Sequence, residues 1–196
     1  MPDARATRRR SRPAPRPLGK ARLEELALAY VARFATSAGK LEGYLARKLR
    51  ERGFDDDGAG SGAEAVSALI ARFVDRGWVD DAGWGRMKAD GLLARGYGAR
   101  RIEQALRDGG LADDLRERLS PEDAARRQAA ADYARRRRFG PWGGEVPQDP
   151  VGRSKRREKQ LAAMLRAGHD FAAAAKVIDA VTSEEVVEWV AQADAE

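Results

Sequence analysis

The 196-residue chain holds one histidine, His169, and no cysteine. A metal centre or an activated nucleophile needs several convergent donors or a positioned base. A single imidazole in a helix-ending turn offers neither, so His169 reads as structural. Asp80 and Asp81 are adjacent carboxylates, but they precede an apolar helix, where acids cap amide groups. Gly96-Tyr97-Gly98 has no preceding strand and no lysine-serine/threonine continuation, which excludes a phosphate loop. The residues point away from an enzyme, and no cofactor or metal is expected.

Contact with anionic partners is better supplied. Arg47, Lys48, Arg50 and Arg52 lie opposite the apolar stripe of one predicted helix, and Arg95, Arg100, Arg101 and Arg107 gather around another. Glu51, Glu103 and Asp108 offset part of this charge. Arg135, Arg136, Arg137 and Arg138 form an unbroken run, followed by Arg153, Lys155, Arg156, Arg157 and Lys159. Arginine suits both phosphate and carboxylate through paired N–H contacts. The first two groups are expected to meet a partner protein or filament. Arg8, Arg9, Arg10 and Arg12, with Arg135 to Arg138, Arg156 and Arg157, are expected to touch nucleic acid weakly and without sequence preference.

Of 37 basic and 31 acidic residues, eight basic and one acidic lie within residues 1–22, leaving 29 against 30 elsewhere. The net charge of +6 therefore sits on an arginine-rich, proline-broken tail, and residues 1–20 are expected to be disordered. No apolar run reaches the roughly 20 residues of a membrane span, and the tail lacks a signal's apolar core. A cytoplasmic monomer with no membrane contact is expected.

The elements that position these cations are helical. Apolar residues recur at helical spacing in Leu23, Leu26, Ala27, Tyr30 and Phe34, then in Leu41, Tyr44, Leu45 and Leu49 after a capping Ser37. Val66, Leu69, Ile70 and Phe73 mark a third helix, beyond a polar loop at 55–63. Trp78-Val79 before Asp80-Asp81 resembles a staple and cap for a fourth. Ile102, Ala105 and Leu106 mark a fifth, and Ser120-Pro121-Glu122-Asp123 starts a sixth running to about Arg138. Residues 139–153 read as irregular. Two helices over about 154–167 and 171–181 precede a last one capped at Thr182. The aromatics Tyr44, Phe73, Trp78, Trp84 and Trp189 fall at inward positions. Trp142 is the one aromatic whose loop position leaves an exposed anchoring role open.

The pattern repeats. YLARKLRERGF at 44–54, RIEQALRDGGL at 101–111 and QLAAMLRAGHD at 160–170 place Leu49, Leu106 and Met164 in register, and likewise Gly53, Gly110 and Gly168. A buried helical residue followed four positions later by glycine is a helix stop. Three such stops at spacings of 57 and 58 residues indicate one copied module. The fold class expected is all-α, with about nine helices in tandem three-helix repeats forming an elongated, curved array. The parts are a tail at 1–20, repeats at 21–79, 80–138 and 154–196, and a loop at 139–153.

ATSAGKLEGYLARKLRERGF, ALIARFVDRGWVDDAGWGRMKADGLLARGYGARRIEQALRDGGL and KQLAAMLRAGHDFAAAAKVID together resemble the RecX family, bacterial proteins that modulate the RecA recombinase. The resemblance runs from about residue 24 to 180. Its most specific part is an aromatic-valine-aspartate turn, a helix, Gly-Tyr-Gly, then RRIEQAL ending in glycine. His169 departs from the aromatic usual at its place, and Phe171 is positioned to fill that space. The resemblance implies tandem three-helix repeats, a cytoplasmic location, and action by binding to RecA and its DNA filament rather than by catalysis. The function expected on that basis is to inhibit or modulate recombinase, ATPase and strand-exchange activity in DNA repair and the SOS response. The alternative is a stand-alone helix-turn-helix-like DNA-binding protein, although its exposed helices carry few Asn or Gln to read base edges.

Overall fold

A helix stop works only if the backbone turns left at its end, and Gly53, Gly110 and Gly168 all have positive φ, at 78°, 75° and 94°. The chain between those stops is helical in the computed structural model, which describes residues 16–55 and 60–193. Among the described residues there is no strand, only an isolated parallel bridge between Leu18 and Phe54.

The first module comprises α1 (Lys20–Val31), α2 (Ala38–Arg52) and α3 (Gly62–Asp75). Ser37 caps α2 by accepting from the Lys40 amide. Ser61 and Glu64 close a reciprocal capping box on α3. Leu23, Ala27, Leu41, Leu45, Val66, Leu69, Phe73 and Val79 form its core, joined by Leu18. Leu18 falls in the stretch 1–20 expected to be a disordered tail, of which residues 1–15 lie outside the described residues. Leu18 is fully buried, its N–H donates to the Gly53 carbonyl over 3.0 Å, and its own carbonyl accepts from Asp55.

The second core gathers Trp84, Ala89 and Leu92 of α4 (Asp81–Leu93), Ile102 and Leu106 of α5 (Ala99–Arg107), and Leu111. A short helix absent from the sequence reading, α6 (Asp113–Arg118), follows. Arg116 fixes it: this side chain, only 11% exposed, pairs with Glu103 and Asp113 and donates to the Leu111 carbonyl. The helix expected from Ser120 starts later, as α7 (Asp123–Arg137), with Glu122 in the cap position and no side-chain cap bond.

The third core joins Leu161 and Met164 of α8 (Pro150–Arg166), Ala174, Val177 and Ile178 of α9 (Phe171–Ile178), and Val186 of α10 (Ser183–Gln192). It also takes Ala130, Ala131 and Ala134 from α7. A sequence boundary at 138 thus falls beside a helix that belongs, by packing, to the third cluster. Alanines let α9 and α10 approach the α7 backbone closely. The stretch 139–153 is more regular than expected, with a 3-10 turn at Gly140–Trp142 and α8 starting at Pro150, capped by Asp149. Ten α-helices and this turn are described where about nine helices were expected.

Candidate partner-binding surface

The modules are joined by one contact made twice. The C-terminus of α8 meets the N-terminus of α5: Gly98 N–H donates to the Ala167 carbonyl over 3.0 Å, and Arg100 N–H to the Gly168 carbonyl over 3.1 Å. The C-terminus of α5 likewise meets the N-terminus of α2, here through a side chain, with the Ser37 hydroxyl donating to the Gly109 carbonyl over 2.5 Å. The glycines make this approach possible. A Cβ on Gly39 would lie 2.8 Å from the Gly109 oxygen and from Gly110 Cα, and one on Gly98 would collide with the Gly168 backbone. At the α5–α8 junction backbone amides meet helix-end carbonyls directly, at the α2–α5 junction a hydroxyl does so, and in both opposite dipole ends face each other. Asp81 completes the first junction by accepting from the Ala38 amide over 2.7 Å.

His169 reinforces the second junction. It is 3% exposed, its Nε2–H donates to the Gly96 carbonyl over 3.1 Å, and its ring packs 5.5 Å from that of Tyr133. Burial holds its pKa below the ordinary imidazole value, and this outweighs the opposing Gly96 bond and Asp170 charge. The structural reading of this residue holds. Phe171 does not fill the aromatic space, because it is 58% exposed.

The cations divide into two sets. Arg47 and Lys48 pair with Glu51, and the Lys48 bond depresses the Glu51 carboxyl. Arg52 donates to the Arg16 carbonyl, Arg95 to Gly91, Arg107 to Glu103 and Arg136 to Ala94. Arg137 lies over Tyr133. Arg156 donates to the Gly144 and Glu145 carbonyls, and Arg157 grips Asp179 through two bonds of 2.6 Å, which lowers the Asp179 pKa. These last two fasten the 139–149 segment and α9 to α8. The side chains of exposed Arg50, Arg100, Arg101, Arg135 and Arg138 make no hydrogen bond or ion pair with the described residues. Arg8, Arg9, Arg10 and Arg12 lie outside the described residues.

Two aromatics depart from the inward placement expected of them. Phe34 is 49% and Trp78 46% exposed. Trp142 instead packs against the third core. The sequence signal for Trp78 was present but misread: as the residue after the Gly77 stop it packs nearly perpendicular to the Phe73 ring, with centroids 5.1 Å apart, and stays about half exposed. Among the described residues no His/Cys/Asp/Glu group is arranged to hold a metal, and no helix is long and apolar enough to cross a membrane.

No family model matches the chain. Regulatory protein RecX of Myxococcus xanthus strain DK1622 is 35% identical over 187 residues, covering 91% of this chain and 94% of that protein. Regulatory protein RecX of Mycobacterium sp. strain KMS is 31% identical over 180 residues, with coverages of 89% and 90%. The crystal structure of RecX from Lactobacillus salivarius superposes with a TM-score of 0.57 at 13% identity, over 88% of this chain and 97% of that one. That likeness speaks for the fold, and the identities with the curated relatives speak for descent. The chain belongs to the RecX family of regulatory proteins.

Proposed function

We propose that the protein is a non-enzymatic regulator that binds RecA and the RecA–DNA filament and restrains ATP turnover and strand exchange. The observation carrying this reading is the repeated end-to-end junction. Helices α8, α5 and α2, of 17, 9 and 15 residues, meet tip to tip and offer roughly 60 Å of helix when laid in sequence. A protein built this way reaches several neighbouring subunits of a polymer, and each contact raises the effective concentration of the next. Along this row the unpaired side chains of Arg50 on α2 and of Arg100 and Arg101 on α5 are exposed, and Arg135 is exposed on α7.

The same junctions disfavour the stand-alone DNA-binding reading. A recognition helix enters the major groove with its N-terminal residues. Here the N-termini of α5 and α2 are covered by the ends of α8 and α5. The deciding experiment follows RecA's DNA-dependent ATP hydrolysis and strand exchange with substoichiometric protein. Inhibition is expected. Tight, sequence-selective DNA binding without any effect on RecA would refute the proposal.

A further inference from the structure

At the first junction α1, α3 and α4 end around a hollow of about 230 Å³, lined by Val31, Phe34, Trp78, Trp84 and Met87. Three of these are large apolar side chains left substantially in solvent: Phe34, Trp78 and Met87, the last 52% exposed. Cations lie against the rings. The Arg33 guanidinium lies 5.3 Å from the Phe34 ring centre, and that of Arg76 5.0 Å from the Trp78 ring. Lys40 lies 5.7 Å from the Trp84 ring. The one carboxylate lining the hollow, Asp80, is engaged with the Gly83 amide. Neighbouring Asp81 is engaged with Ala38. Arg33, Arg76 and Lys40 thus flank the apolar floor with no ion-pair partner among the described residues, whereas Asp80 and Asp81 each hold a helix amide.

Tryptophan, phenylalanine, methionine and arginine are the residues enriched where proteins meet. Single-stranded nucleic acid fits less well. Base stacking needs open ring faces, and the guanidinium groups of Arg33 and Arg76 already lie over Phe34 and Trp78. The hollow of about 230 Å³ between Phe34, Trp78, Trp84 and Met87 is of a size to take one bulky side chain.

We propose that this hollow is a protein-docking site that receives a bulky apolar side chain flanked by carboxylates, and that the recombinase supplies it. The identity of the partner rests on the reading given under Proposed function. An occupant would touch both α1 and α4 and so clamp the first junction as it binds.

The test uses the full-length chain and RecA filaments on single-stranded DNA, with binding read by fluorescence anisotropy. Phe34→Ser with Met87→Glu is expected to weaken filament binding by about tenfold or more, with helicity and urea midpoint near those of the parent. Arg33→Glu with Arg76→Glu removes the charge complementarity without touching the cup floor. It is expected to weaken binding similarly, so the test stands even if the first variant folds poorly. Both variants are expected to bind bare single-stranded DNA like the parent. Parental filament affinity in the folded variants overturns the site. An equal loss on bare DNA assigns the cup to nucleic acid, and a parent dimer dispersed by the substitutions assigns it to a second copy; either overturns the proposal. A parent that binds no filament at all refutes the functional reading itself, a result distinct from these.

Discussion

The amide of Gly98 donates to the carbonyl of Ala167 over 3.0 Å, tying the start of α5 to the end of α8 across 69 positions of sequence. Both groups belong to helix termini, and each would otherwise need water or a side chain. The module copied along the chain therefore carries its own connector. A glycine-ended helix brings bare carbonyls, and the second helix of the preceding module presents a glycine-lined N-terminus to receive them.

Two alanine substitutions on α2 test this with opposite signs. Gly39→Ala drives a Cβ into the Gly109–Gly110 backbone and is expected to cost about 1–3 kcal/mol, as overpacking does. Gly43→Ala meets open space on the same helix and is expected to stabilise by about 0.5–1 kcal/mol. Urea unfolding of the two variants checks both. Equal effects would show that Gly39 is merely another helical glycine.

Ser37 separates capping from joining. Its oxygen accepts from Lys40 N–H while its hydroxyl hydrogen goes to Gly109. Ser37→Ala is expected to cost about 1–2 kcal/mol for the lost cap and the orphaned carbonyl. Ser37→Asp keeps a good cap acceptor but loses the donor and sets a carboxylate against a buried carbonyl. It is expected to be less stable than Ser37→Ala, although propensity at a cap alone predicts the reverse. Calorimetric melting of the three proteins distinguishes these orders.

The helices were legible because their signals are local: Ser37 as a cap, Gly53, Gly110 and Gly168 as stops, and Leu41, Leu45, Ile102 and Leu106 as inward stripes. The junctions were not, since Gly39 and Gly110 meet only after 71 residues have folded and nothing near either names the other. The cluster assignment of α7 was hidden for a different reason. Ala130, Ala131 and Ala134 bury equally well against any close neighbour and carry no directional cue. Of the surface, the recurrence of arginines was visible. Which of them are spent was not, because Arg156 and Arg157 bond groups on the 139–149 segment and on α9 that only the fold brings near.

His169 makes the second junction sensitive to acid. Burial lowers its pKa in the folded protein, whereas the unfolded chain takes up a proton near the ordinary value of 6.5. Below that pH the unfolded state binds more protons, so stability is fully present above about 6.5 and falls as pH drops toward the folded value. The slope approaches about 1.4 kcal/mol per pH unit. Unfolding by urea from pH 8 to pH 5.5 is expected to show this loss. His169→Gln, which retains a donor for the Gly96 carbonyl, is expected to flatten it. The Asp179 carboxyl contributes only in a lower window, below its ordinary 3.8, and does not confuse the measurement.

The two sets of arginines differ in what their removal does. Arg100→Glu with Arg101→Glu alters exposed groups that have no side-chain partners, and is expected to leave the urea midpoint within about 0.5 kcal/mol of the parent. If the unpaired set meets the filament, it also reduces the inhibition of RecA's ATP hydrolysis and flattens its dependence on salt. Arg156→Ala acts in the opposite sense. It removes the donor that holds the Gly144 and Glu145 carbonyls, so limited proteolysis is expected to cut within 143–148 while inhibition of RecA stays at the parental level. Inhibition lost with Arg156→Ala but kept when Arg100 and Arg101 are reversed would move the contact surface from the junction of α5 and α8 to the far end of α8.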